Sequence, residues 1–148
     1  MDNRYEMFTV LIAKINRNIR KIKNQEMLEY NLKSLHISCL YYLYLSGGLT
    51  ATELCERCEE DKATISRSLD YLEKEGYLTC DTQNAKRYKS PLVLTEKGKE
   101  VGKQIVDKVN RVLDGVGANL TDSEREIFYR SLNLISDNLE IVAKHNLG

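Results

Sequence analysis

The sequence is poor in the residues that break or staple a chain. One proline and eight glycines among 148 residues are too little turn material for long loops or for a fold built mainly of strands. No apolar run approaches the roughly 18 residues that a membrane span needs. The N-terminal stretch MDNRYEMFTVLIAKINRNIRKIK spaces its apolar residues with polar ones and places its positive charge after them, the wrong order for a signal peptide. These absences predict a cytoplasmic protein with no membrane partner. Net charge is also absent, because 22 Lys and Arg balance 22 Asp and Glu; any case for nucleic acid must come from local charge. Four cysteines in a chain of ordinary size with no secretory signal imply thiols rather than a disulfide scaffold. With 42% apolar and 30% charged residues, the composition is that of one soluble, mainly helical domain spanning residues 1–148.

What is present is helical periodicity. Over residues 5–26, Phe8, Ile12, Ile15, Ile19 and Ile22 step by four and three, the heptad spacing of a seam that pairs with another helix. Lys14, Arg17, Arg20, Lys21 and Lys23 form an acid-free run there, read as a solvated face. Ser34 is placed to cap a second helix reaching about Leu45, which Gly47 and Gly48 stop. Thr50-x-x-Glu53 is a capping box, in which the hydroxyl serves one free backbone N–H and the carboxylate another. It opens the short helix ATELCERCEE. Asp61 caps KATISRSLDYLEKEG, where Ile65, Leu69 and Leu72 form the buried stripe and Gly76 ends the helix.

Two short helices joined by a tight turn form a helix-turn-helix. The period then changes. YLTCDT and RYKSPLVL read as strands around a polar tip, with Tyr88, Leu92 and Leu94 on one face. Pro91 lacks an N–H for the ladder, which puts its strand at an edge or in a bulge. A β-ribbon in that place is a wing. Thr95 then caps a helix of about 20 residues bearing Val101, Ile105, Val109, Val112 and Val116 on one side, with Gly115 and Gly117 loosening its end. A second capping box, Thr121-x-x-Glu124, opens a last helix with Ile127, Phe128, Leu132, Ile135, Leu139 and Val142.

The helix after Asp61 carries the functional argument. With Ile65 at the centre of its buried face, 100° per residue puts Ala63, Arg67, Asp70 and Lys74 opposite, flanked by Lys62, Thr64 and Ser66. Small residues allow close approach to a major groove, hydroxyls reach phosphates, and an arginine addresses guanine edges bidentately. The wing adds Lys86, Arg87 and Lys89 without an acid between residues 83 and 90, cations of the kind favoured in a narrow minor groove. The DNA-binding candidates are therefore Lys62, Ala63, Thr64, Ser66, Arg67, Lys86, Arg87 and Lys89.

DKATISRSLDYLEKEGYL, followed by a basic wing and LTEKG, resembles the multiple-antibiotic-resistance regulator (MarR) family of bacterial winged-helix repressors. The resemblance covers nearly the whole chain, including the LTATEL lead-in to the helix-turn-helix. It implies a homodimer on pseudo-palindromic double-stranded operators, released by a small aromatic or phenolic effector. It also places Arg87 where the family's wing arginine enters the minor groove. Two departures stand out: Ala85-Lys86-Arg87 replaces the usual Asp-x-Arg of the wing, with Pro91 lengthening the return strand, and Cys80 stands where an arginine often follows Gly-Tyr-Leu.

Other side chains compete for a role. Cys55-x-x-Cys58 is half of a zinc or redox motif, but the only histidines, His36 and His145, do not complete a set. A structural place beside Leu54 is the reading taken. His36 and Cys39 share a helix face and offer a metal or ligand site, against a plain helix start and a packed thiol. Cys39 and Cys80 are the candidates for a redox-sensing thiol. The acids Glu53, Glu56, Glu59, Glu60 and Asp61 read as a solvated face. Phosphate loops, a serine elbow and HExxH are all missing, so no enzyme, metal or cofactor is expected.

The resulting expectation is a mainly α winged helix-turn-helix regulator with a small antiparallel β-wing. Residues 34–98 form the DNA lobe, and residues 1–33 and 99–148 form a helical dimerisation lobe. Two alternatives stand beside it: a redox- or metal-sensing regulator whose Cys and His residues are the input, and a winged helix that binds protein rather than DNA.

Overall fold

A computed structural model describes residues 3–80 and 89–146. The chain divides into two compact units, Met1–Val109 and Asn110–Gly148. In the first, α1 (Leu11–Glu26) continues a π-helical stretch, Glu6–Val10. A 3-10 turn at Leu28–Tyr30 and a left-handed Asn31 (φ 53°) then redirect the chain into α2 (Ser34–Ser46). The N-cap of α2 is Lys33, not Ser34. Ser34 is already helical, its carbonyl accepting from the Ser38 hydroxyl at 3.3 Å. The capping is done by His36, whose Nδ1 accepts the Lys33 N–H at 3.0 Å. The lysine ammonium has no lone pair with which to return that bond.

Gly47 ends α2 at φ 76°, a left-handed conformation that costs glycine little. The expected capping box opens α3 (Ala51–Cys58): Thr50 Oγ1 accepts from the Glu53 N–H, and Glu53 Oε1 accepts from the Thr50 N–H, both at 3.2 Å. α3 stops at Cys58 rather than Glu60 because Glu59 turns left-handed (φ 54°). Asp61 Oδ1 accepts the Thr64 N–H at 2.7 Å and opens α4 (Lys62–Lys74). Ile65, Leu69 and Leu72 of α4 join Leu40, Leu43, Leu54, Leu78 and Ile105 in a core with essentially no solvent access. Each such side chain contributes about 1.5–3 kcal/mol, which holds α2, α3 and α4 as one rigid piece.

The described wing root is shorter than the two predicted strands. β1 (Leu78–Thr79) and β2 (Val93–Leu94) pair antiparallel, Leu78 opposite Leu94. Pro91 precedes this ladder instead of bulging it. The Leu92 N–H donates to the Leu49 carbonyl at 2.9 Å rather than to β1, so the returning chain docks on the lead-in to α3 before it can pair. Residues 81–88, with Ala85, Lys86, Arg87 and Tyr88, lie outside the described residues.

Thr95 ties the root to α5 (Glu96–Val116). Its Oγ1 accepts the Gly98 N–H at 3.1 Å and donates to the Gly76 carbonyl at 2.6 Å. Lys97 adds a bond to the Glu75 carbonyl at 2.8 Å and sits over the Tyr77 ring. Gly98 lies so close to β1 that a Cβ there would meet the Tyr77 carbonyl oxygen at 2.0 Å; at Gly102 it would meet Tyr44 Cβ at 2.9 Å.

In the second unit, Thr121 and Glu124 form the other expected capping box, at 3.0 and 3.1 Å, and open α6 (Asp122–Asn146). No residue of α6 is buried, nor is any of α1. Among the described residues no helix is long and apolar enough to cross a membrane.

Candidate nucleic-acid interface

The face of α4 opposite its buried stripe is open to solvent. Lys62, Ala63, Arg67 and Asp70 are exposed, and Thr64 and Ser66 are half-buried. The cap sets their presentation. Bonds from the Thr64 backbone and hydroxyl hold the Asp61 carboxyl below its ordinary value, with Arg67 a smaller contribution, so the cap stays ionised at neutral pH. Arg67 Nη2 donates to Thr64 Oγ1 at 3.3 Å, leaning toward the helix N-terminus as long helical side chains do. Lys89 is exposed at a turn ahead of β2. Of the candidates, Lys62, Ala63, Thr64, Ser66 and Arg67 thus share one helix and Lys89 stands apart. Lys86 and Arg87 lie outside the described residues.

α4 is braced from behind. The Tyr71 hydroxyl donates to the Asn31 carbonyl at 3.2 Å, and the Tyr71 ring stacks on His36 with centroids 4.4 Å apart and planes 10° from parallel. Burial, and then the nearby Lys33 charge, lower the His36 pKa. Its Nδ1 is an acceptor, so the neutral ring carries its proton on Nε2. The residue considered with Cys39 for a metal site is a cap and a stacking partner instead. No described group of three His, Cys, Asp or Glu is arranged to hold a metal ion.

The thiols correct one expectation. Cys39 is fully buried, and its hydrogen bond to Cys58, with burial second, pushes its pKa up; a thiol so held is a poor nucleophile. Cys58 is the more acidic of the two. The same hydrogen bond lowers its pKa against the effect of burial, and Lys23 assists. Residue spacing carries no sign of this, because Lys23, Cys39 and Cys58 sit on three different helices. Cys55 and Cys58 do pack against the core, as expected, while remaining partly exposed.

A helix-turn-helix followed by an antiparallel ribbon defines a winged-helix protein. Residues 30–87 match the model of the MarR family. The chain is 28% identical over 131 residues to the uncharacterized HTH-type transcriptional regulator YybA of Bacillus subtilis, covering 87% of this chain and 86% of that one. It is also 24% identical over 89 residues to the regulator YwhA of the same organism, where the match spans 64% of YwhA's length. Among solved structures, NMB1585, a MarR family regulator from Neisseria meningitidis, superposes with a TM-score of 0.78 at 21% identity, covering 98% of this chain and 99% of that one. The family match, the curated relatives and the solved structures together support a MarR family regulator. The curated relatives are HTH-type transcriptional regulators, and members of the MarR family are not enzymes.

Proposed function

We propose that the protein is a ligand-responsive repressor that binds pseudo-palindromic operators as a cytoplasmic homodimer. The observation that supports this best is the exposed face of α4, small, hydroxylic and basic, on a helix whose other face is locked in the core. In this reading α4 enters the major groove, with Lys62, Thr64 and Ser66 on phosphates, Ala63 allowing close approach and Arg67 at base edges. Lys86, Arg87 and Lys89 serve the flanking minor groove. Residues 34–98 act as the DNA lobe.

Dimerisation is drawn from the apolar seams left open on α1 and α6. Phe8, Ile12, Ile15 and Ile19 are 38–55% exposed, and Leu132, Ile135 and Leu139 are 37–49% exposed. Residues 1–33 and 99–148 supply that lobe, and a two-fold axis would set the two α4 helices about 34–36 Å apart. An aromatic acid or phenol would then weaken operator binding by about 5- to 150-fold through linkage.

Selection of bound sequences from a random duplex pool tests the reading. It should return paired half-sites, with Arg67→Ala relaxing preference at one base pair in each. Arg87→Ala should weaken all sequences alike and flatten the salt dependence. Failure to bind duplex DNA at low salt would point to a protein partner instead.

A further inference from the structure

Two side chains of α5, Gln104 and Lys108, stand one turn apart on the same flank of the helix. Ile105, next to Gln104, is fixed in the core and orients that flank. Both side chains reach the corner that joins α1 to α2. Lys108 Nζ donates to the Glu26 carbonyl at 2.9 Å, pairs with the Glu29 carboxylate, and lies 5.2 Å from the centre of the Tyr30 ring. Glu26 is the last residue of α1, where helical carbonyls lack amide partners and favour a cation. One turn away, the Tyr30 hydroxyl donates to Gln104 Oε1 at 2.8 Å. An isolated surface ion pair is weak. Here one ammonium meets a carbonyl, a carboxylate and a ring face together, with a second bond beside it.

The far side of the corner is held by α4. Asn31 is left-handed at φ 53°, and its carbonyl accepts the Tyr71 hydroxyl at 3.2 Å. Tyr71 also stacks on His36. Tyr30, gripped by α5, and Asn31, gripped by α4, are consecutive residues. Their turn is closed by bonds from the Tyr30 N–H to the Met27 carbonyl and from the Asn31 N–H to the Leu28 carbonyl, and Met27 is buried. A turn so tied passes a displacement from one side to the other instead of absorbing it.

We propose that Lys108 and Gln104 are positioning residues for DNA binding, which set the seat of α4 from α5 through the corner at residues 29–31. The effect on DNA rests on the proposed reading of α4 as the helix in the major groove; the coupling of α5 to α4 does not. Alignment matters unequally to the two kinds of DNA contact. Base readout needs both α4 helices of a dimer aimed at half-sites a fixed distance apart. Attraction to phosphates tolerates a tilt. Loss of the α5 grip therefore costs selectivity rather than general affinity for DNA.

Lys108→Met keeps the aliphatic stem and removes the charge. On a duplex selected by the full chain, this variant should bind about tenfold more weakly, the worth of one charge-assisted bond. Its affinity for a random duplex should stay within about twofold. Tyr71→Phe cuts the other side of the corner and should give the same split, and the double variant should lose little more than either alone. Gln104→Leu removes only the acceptor of the Tyr30 hydroxyl and should show the split at about threefold; it carries the test if Lys108→Met does not fold. The free protein supplies an independent measurement. His36 and His145 are the two histidines of the chain, and His36 is not among the described partners of Lys108. In proton spectra without DNA, Lys108→Met should move the His36 ring signals toward those of the exposed His145. No loss on the selected duplex, equal loss on both duplexes, full additivity of the two variants, or unmoved His36 signals overturns the proposal. If the wild-type protein binds no duplex, the DNA reading fails, and the His36 signals still decide whether α5 holds α4.

Discussion

Helices α4 and α6 carry the same kind of apolar stripe and come to opposite ends. In α4, Ile65, Leu69 and Leu72 have lost all contact with solvent, whereas in α6 Leu132, Ile135 and Leu139 keep 37–49% of their exposure. A stripe at helical spacing therefore announces only that a helix has a partner. For α4 that partner is α2 and α3 of the same chain. For α6 the chain leaves the stripe open, which is why the proposed function assigns it to a second copy.

The sharpest way to break this contrast is to damage both stripes. Leu69→Ala should cost about 2–5 kcal/mol by opening a cavity in a core that cannot collapse around it. Chemical denaturation should show that loss equally at every protein concentration. Leu132→Asp should instead act through assembly. The unfolding midpoint should become more dependent on concentration, and sedimentation should show a lighter particle. A Leu132→Asp protein that sediments like the wild type would remove α6 from the interface.

Next in size is the outer face of α4 against its inner one. Arg67→Ala should cost about 1–3 kcal/mol on a selected operator and leave the thermal midpoint unmoved. That separates it from Leu69→Ala, where binding and folding fall together. Smaller again is the cap of α3. Thr50→Ala should remove about 1 kcal/mol, read as a shift of the denaturation midpoint with unchanged slope.

The smallest expected effect concerns pH. The His36 pKa is lower in the folded state than its ordinary value near 6.5, so the unfolded chain takes up its proton first as pH falls. The stability contributed by the neutral ring is complete above about pH 6.5 and declines below it. His36→Phe keeps the stacking on Tyr71 but removes the titration. Thermal midpoints between pH 5 and 7 should therefore fall less steeply in the variant than in the wild type.

Much of this architecture was readable in the sequence because its signals are local. Thr50 with Glu53, Thr121 with Glu124, and Asp61 lie within three residues of the amides they serve, so spacing alone identifies them. The winged-helix class and the α4 stripe followed from those ends and the periods between them. The failures have a common physical cause, which is distance along the chain. Histidine at the third position of α2 is an unusual cap, and its orientation depends on Tyr71 from α4. β2 begins late because Leu92 is held by Leu49. Cys58 is acidified by Cys39 and Lys23, which only packing brings near. The same holds for the candidate interface. The α4 residues could be named from periodicity, whereas the bracing of α4 by Tyr71 against Asn31 and His36 came only with the fold.

The approach of α5 to the root of the wing has a mechanical consequence. At Gly98 the neighbour that a methyl would strike is a peptide carbonyl, which has no rotamer to turn away, and at Gly102 the obstacle begins at the Tyr44 Cβ. There is no slack between these surfaces. The first turns of α5 and the base of the ribbon must therefore travel as one stiff arm, with any torque on one delivered whole to the other. For a lineage drifting under mutation, these two positions would refuse nearly every substitution, although neither carries a functional group.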